Sequence, residues 1–167
     1  MSCIREDVIH LAVRRYLKNH RWILVAGQYP NGTDDELPIL NIKDPDLAKD
    51  NSPDHRRHSM NKLVPDLVAL KDSVILIVEM KPTYCKKDEE KLLELLKTRK
   101  HDFTCTLEEC LRLNGKCNDV NINNLVYIPC MGFGSGCKYK HLPDFCYFEV
   151  ISIEEVVFCG NNIIKEI

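Results

Sequence analysis

At 167 residues, 44% hydrophobic and 29% charged, the chain has the length and composition of one globular domain, 1–167, with a sizeable core. A formal net charge of −2 argues against a generic nucleic-acid coat, and no run reaches the ~18 apolar residues that a bilayer span needs. Nine cysteines, odd in number, irregular in spacing and without a Cys-x-x-Cys pair, read as reduced thiols rather than a disulfide scaffold.

The opening Met-Ser-Cys-Ile-Arg-Glu-Asp carries no apolar signal segment, so the expected location is the cytoplasm. Residues 3–19 have helical periodicity. Ser2 is a candidate cap, and Glu6 and Asp7 place acids in the first turn, where the helix dipole favours them. Ile4, Val8, Leu11, Ala12 and Tyr16, widened by Ile9, Val13 and Leu17, make the apolar face. Glu6, His10 and Arg14 fall four apart on a polar stripe, a spacing that serves a solvated face or a functional one.

Trp22 to Ala26 is a buried strand, left through the turn Gln28-Tyr29-Pro30-Asn31-Gly32. The acidic turn Asp34-Asp35-Glu36 leads into Leu37 to Ile42, a short strand whose Pro38 indicates an edge or strand-start position. The stretch 43–62 is polar and broken by proline, and loops of that length in compact domains are commonly functional.

The chain is organised around residues 63–81. Two apolar runs, Leu67 to Leu70 and Val74 to Val78, flank the turn-forming Lys71-Asp72-Ser73 and predict an antiparallel hairpin. The hairpin brings its outer ends together, so Asp66 and Glu79 meet at one edge of the sheet, and alternation puts Glu79 and Lys81 on one face. Two converging carboxylates repel unless a cation lies between them, and hard oxygen donors favour Mg²⁺ or Mn²⁺. Such an ion polarises a phosphoryl oxygen and acidifies water, while Lys81 can hold the attacking water or neutralise charge developing on the phosphate. The preceding stretch enters this strand directly, and its His55, Arg56, Arg57 and His58 suit a phosphate clamp above the acids.

After Pro82-Thr83-Tyr84-Cys85, residues 87–100 read as a helix, with Leu92, Leu93, Leu95 and Leu96 inside and Asp88, Glu89 and Glu90 in the first turn. Lys86, Lys87 and Lys91 are within reach of a substrate, although solvation is the default for helix lysines. A second helical piece spans 107–113, opened by Thr106-x-x-Glu109 and closed by Asn114-Gly115. Leu125 to Cys130 is an interior strand. The glycine-rich run from Met131 lacks the lysine and Ser/Thr ending of a P-loop and reads as a flexible turn, from which Lys138, Tyr139 and Lys140 can touch a nucleic-acid backbone or stack a base. Phe145 to Ile151 is another strand, and 153–167 supplies an edge element or part of a dimer surface. Zinc could be assembled from Cys105, Cys110, Cys117 and Cys137, or His141, at spacings that fit no standard knuckle.

Pro65-Asp66, twelve residues, then Glu79-Met80-Lys81 resembles the signature of the PD-(D/E)xK nuclease superfamily. Pro-Asp occurs four times, at Pro45-Asp46, Pro53-Asp54, Pro65-Asp66 and Pro143-Asp144, but only Asp66 is followed by strand, turn and a strand ending in Glu-x-Lys. The resemblance implies an α/β fold with a restriction-endonuclease-like core, a mixed central sheet flanked by helices in αβββαβ order, over about 1–130, with 131–167 as a C-terminal extension. It implies Mg²⁺- or Mn²⁺-dependent hydrolysis of DNA, with Asp66, Glu79 and Lys81 catalytic. Asp66, Glu79 and the Met80 carbonyl would hold metal, and Glu6, His10, Asp35 or Glu36 are candidates to complete the site. Arg56, Arg57, His58, Lys138 and Lys140 would touch nucleic acid, and a homodimer would let two sites cut two strands. A helical histidine also occurs in cap-snatching RNA endonucleases, which makes RNA the alternative substrate. A non-catalytic binding module that keeps the fold is the rival from another class.

Overall fold

The structure, a computed structural model, describes residues 3–32, 34, 36–42, 63–115, 117 and 119–167. Helix α1 (Glu6–Asn19) leads to β1 (Ile23–Gly27), then to the hairpin β2 (Leu67–Lys71) and β3 (Val74–Met80). Helices α2 (Lys86–Lys97) and α3 (Lys100–Asn114) follow, then β4 (Val126–Gly134), β5 (Cys146–Val150) and β6 (Val156–Cys159). The six strands form one mixed α/β sheet whose spatial order is the chain order. β1 pairs antiparallel with β2 and β2 antiparallel with β3, β4 is parallel to β3, β5 is parallel to β4, and β6 returns antiparallel. The α2–α3 pair is the crossover that parallel pairing of β3 with β4 requires. Among the described residues no helix is long and apolar enough to cross a membrane.

The hairpin forms as its sequence dictates. Lys71 pairs with Val74, and Asp72 takes the left-handed conformation at φ 53° that a tight turn needs and that aspartate tolerates. Leu67 to Leu70 and Ile75 to Met80 are all buried, because helices cover both faces of the sheet. Val68, Leu70, Ile75 and Ile77 face α2 and α3 through Leu92, Leu95, Phe103, Leu107 and Leu111. Leu67, Ala69, Leu76, Val78 and Met80 face α1 through Ile9, Ala12, Val13 and Leu17. Each of the larger of these side chains contributes about 1.5–3 kcal/mol of burial.

Helix α1 departs from expectation in two ways. It starts at Glu6 rather than residue 3, with Arg5 in the capping position, and the candidate cap Ser2 lies outside the described residues. Its buried stripe is Ile9, Ala12, Val13 and Leu17, while Leu11 is 43% exposed. His10 and Arg14, read as members of a polar stripe, are buried with it. The rotation follows from the sheet beneath. The end of the sheet presents acids and a lysine, and the polar stripe turns inward to meet them.

The glycine-rich run is strand rather than turn as far as Gly134, so a boundary at residue 130 cuts through β4. The glycines serve close packing. A Cβ at Gly132 would lie 3.1 Å from Met80 Cγ and 3.4 Å from Val13 Cγ2, so the missing side chain lets α1 settle on the sheet. Gly132→Val is expected to destabilise the fold by about 1–3 kcal/mol through overpacking. Urea denaturation would register this as a lower midpoint with an unchanged slope.

The segment Leu37 to Ile42 is not a ladder strand. The Pro38 carbonyl accepts from Gly27 N–H at 3.0 Å, and Ile42 makes an isolated bridge to Leu63. Pro38 has no N–H to return, so pairing does not propagate, although Leu40 and Ile42 are buried as alternation predicts. Helix α3 is one 15-residue helix from Lys100, not a short piece from 107. Thr106 is therefore interior, and its hydroxyl donates to the Asp102 carbonyl instead of capping. Gly115 closes the helix at φ 61°, as expected.

Candidate functional site

β3 and β4 run parallel and finish side by side, with Met80 level with Gly132. Ligands in open α/β sheets gather beyond such carboxyl ends. Leu67 pairs with Val78, and one further step of that register sets Asp66 opposite Glu79 on the same face. Both are buried, Asp66 at 7% and Glu79 at 2% exposure. Met80 N–H donates to Asp66 Oδ2 at 2.8 Å and fixes that carboxylate. The N–H and C=O of a residue in an extended strand point to the same side, so the Met80 carbonyl is directed toward the Asp66 edge.

Five further ionisable groups converge here. Glu6 of α1 holds Lys81, Oε1 to Nζ, at 2.6 Å. His10, one turn further along α1, is fully buried with Nε2 4.0 Å from Asp66 Oδ2. By strict geometry neither His10 ring nitrogen makes a hydrogen bond among the described residues, although the Gln28 backbone lies near enough to favour the charged ring. Lys91 of α2 places Nζ 2.8 Å from Glu79 Oε1 and donates to the Val64 carbonyl at 2.7 Å. Asp88, in the first turn of α2, lines the same cavity of about 430 Å³ with Gln28, Tyr29 and Pro30 on its far wall. The Asp88 Oδ2 is buried with no hydrogen-bond partner among the described residues.

Burial and the neighbouring Asp66 push the Glu79 carboxyl up to about 8, against the pull of Lys91. Asp66 is also raised by burial, opposed by the Met80 N–H and by Lys91 and Lys81. Burial and the Arg14 charge lower His10 to about 4, so its imidazole is neutral at physiological pH. Burial disfavours charge on Lys81 as well, but Glu6, Asp66 and Asp88 more than compensate and hold its pKa above the ordinary value. The site is thus an acidic pair short of positive charge, with a neutral imidazole beside it.

Behind this site Arg14 anchors the turn after β1. Its Nη1 lies 2.6 Å from Asp34 Oδ2, and its guanidinium sits 4.1 Å from the Tyr29 ring centre. Burial opposes charge on Asp34, but Arg14 and the Glu36 and Leu37 N–H groups hold its carboxyl below the usual range. Asp34 is thereby committed to structure, and the Tyr29 wall of the cavity is held in place.

The residues that make a metal centre are present in part. Among the described residues, no three His, Cys, Asp or Glu side chains are gathered as a ready cage. Mg²⁺ and Mn²⁺ do not require one, since one or two carboxylates with water and a substrate phosphate suffice. Asp66 and Glu79 supply that pair, and the ring nitrogens of buried His10, which make no hydrogen bond of good geometry, are further donors beside it. The donor set therefore fits a small divalent ion.

The candidates divide accordingly. Asp66, Glu79, Lys81 and Glu6 line one cavity, and His10 abuts Asp66. Glu36 lies off this cavity: it is exposed and pairs with Lys18 at 3.3 Å. Asp35, Arg56, Arg57 and His58 lie outside the described residues, as does His55. Lys138 and Lys140 are exposed and lie off the cavity lining, while Tyr139 between them turns inward to within 4.7 Å of the Phe133 and Tyr147 ring centres. The zinc candidates are not gathered three together among the described residues, although Cys110 and Cys117 are close enough to interact. The Cys110 thiol meets the Val25 carbonyl, Cys137 meets the Pro82 carbonyl, Cys105 meets His101, and none of the nine cysteines forms a disulfide. Sequence reading undervalued Lys91 and passed over Asp88 and Arg14. The four-residue spacing of Glu6, His10 and Arg14 was the available signal for α1, whereas no pattern distinguishes Lys91 from the other lysines of its helix.

No family model matches the chain, and neither a curated protein nor a solved structure does.

Proposed function

We propose that the chain is a Mg²⁺- or Mn²⁺-dependent endonuclease that hydrolyses DNA phosphodiester bonds on a restriction-endonuclease-like core of the PD-(D/E)xK kind. The observation that carries this reading is the meeting of Asp66 and Glu79 at the carboxyl end of β3, with Lys81 immediately beyond. The run of α1, β1, β2, β3, the α2–α3 crossover and β4 supports it, being the αβββαβ order with one helix added.

A divalent ion bound there would supply charge for the scissile phosphate and acidify water. Asp66 and Glu79 are the residues that would hold it, with the Met80 carbonyl directed to the same edge. Met80 N–H locks one oxygen of Asp66, so the carboxylate is oriented before substrate arrives. Glu6 steers the Lys81 ammonium, which orients the nucleophile or offsets charge on the phosphoryl oxygens. Neutral His10, fully buried, lies against Asp66 with Nε2 4.0 Å from Oδ2. The buried imidazole beside the acid favours a second reading, an RNA endonuclease with a helical histidine in its site.

The test incubates supercoiled plasmid and single-stranded RNA with the protein in Mg²⁺, Mn²⁺ or EDTA. Metal-dependent nicking of the plasmid that EDTA abolishes is the expected result. Cleavage of RNA alone would select the second reading, and binding without cleavage of either would replace the enzyme with a nucleic-acid-binding module.

A further inference from the structure

The two lysines of the site are not equivalent. Lys81 is engaged by Glu6 and feels the charge of Asp66, and its side chain is 40% exposed. Lys91 is more enclosed, at 24%, and its ammonium lies 2.8 Å from Glu79 Oε1. A second anchor, the Val64 carbonyl at 2.7 Å, holds that ammonium beside the residues leading into Asp66. Whenever Glu79 is ionised, a buried carboxylate beside another must be neutralised, and Lys91 is the cation placed to do it.

We infer that Lys91 is the resident counter-cation of the acid pair and that it competes with a divalent ion for Glu79. The inference rests on the metal-dependent reading of the site. A divalent ion taking Glu79 must enter beside the ammonium or displace it. The long stem of lysine permits withdrawal toward solvent along α2, at the loss of two contacts. Lys91 therefore keeps the site intact when empty and sets a threshold of ion concentration for loading it. Removing the ammonium favours a divalent ion twice as strongly as it favours a proton on Glu79, so the net effect on ion binding is a gain even where a proton must leave.

Mn²⁺ binding to the wild type, Lys91→Met and Lys91→Arg, followed by titration calorimetry at pH 8.0, decides the matter. Methionine keeps the stem without the charge and is expected to tighten Mn²⁺ binding by about tenfold, whereas arginine keeps it near the wild-type value. Equal or weaker binding by Lys91→Met, with a wild-type circular dichroism spectrum, overturns the inference while leaving the metal reading intact. Absence of Mn²⁺ binding by all three proteins overturns the metal reading and this inference with it. If the methionine variant does not fold, Lys91→Gln enters the same comparison with the same expected gain.

Discussion

An Asp66→Asn protein is expected to fold like the wild type and to lose DNA cleavage by ~10³-fold or more, a loss of about 4 kcal/mol of transition-state stabilisation. The fold survives because an asparagine carbonyl can still accept from Met80 N–H, and because a neutral amide is easier to bury than a carboxylate at this 7%-exposed position. The chemistry does not survive, because the amide cannot share a divalent ion with Glu79. Single-turnover cleavage of a labelled duplex, beside a thermal melt, separates the two effects. On the proposed reading Lys81→Met should fall by a comparable factor in kcat, since the ammonium would act on the phosphate rather than on folding. Full activity in either variant would remove that residue from the chemistry.

The second large effect concerns stability. Glu79 has a folded pKa of about 8, raised by burial and by Asp66. Between the ordinary carboxylate value and 8, the folded state holds a proton that the unfolded state has released. The stability from this group is fully present below the unfolded pKa and is lost as the pH rises through the folded one. His10 works in the opposite sense: lowered to about 4, it costs stability as the pH falls from 6.5 toward 4. The two slopes oppose each other below pH 6.5, and only that of Glu79 persists above it. The metal-free wild type is therefore expected to lose a few kcal/mol between pH 6.5 and 8.5. Glu79→Gln, which mimics the protonated acid, should remove most of that decline and melt higher than the wild type at pH 8. Chemical denaturation in EDTA from pH 5 to 9 checks this. Parallel pH profiles for the two proteins would place the charge on Glu79 elsewhere.

Much of this architecture was legible in the chain. Two apolar runs around the turn-forming Lys71-Asp72-Ser73 pointed to a hairpin, and the hairpin brings Asp66 to Glu79. Period-two and period-3.6 patterns located α1, the hairpin, α2 and the apolar part of β4. Other features depended on what each segment packs against. Gly132 and Gly134 looked like turn residues, yet their size is demanded by close contact with Val13, Met80, Ile4 and Pro82. Leu37 to Ile42 kept the alternation of a strand without a ladder to join. The polar stripe of α1 suited solvent as well as a site. Its inward rotation was settled by Asp66, Lys81 and Asp34, which lie 20–75 positions away in sequence. Lys91 reached Glu79 only because α2 packs over the end of β3, a placement that its local sequence does not encode.

Whether Asp66 and Glu79 hold one ion jointly is settled by Mn²⁺ binding to the wild type, Asp66→Asn and Glu79→Gln, read by electron paramagnetic resonance of the free ion at pH 8. One tight Mn²⁺ per chain in the wild type, lost in both variants, is the outcome the proposal predicts. Mn²⁺ bound with unchanged stoichiometry and affinity in both variants would mean that the two carboxylates are not its ligands, and the proposed nuclease site would fall.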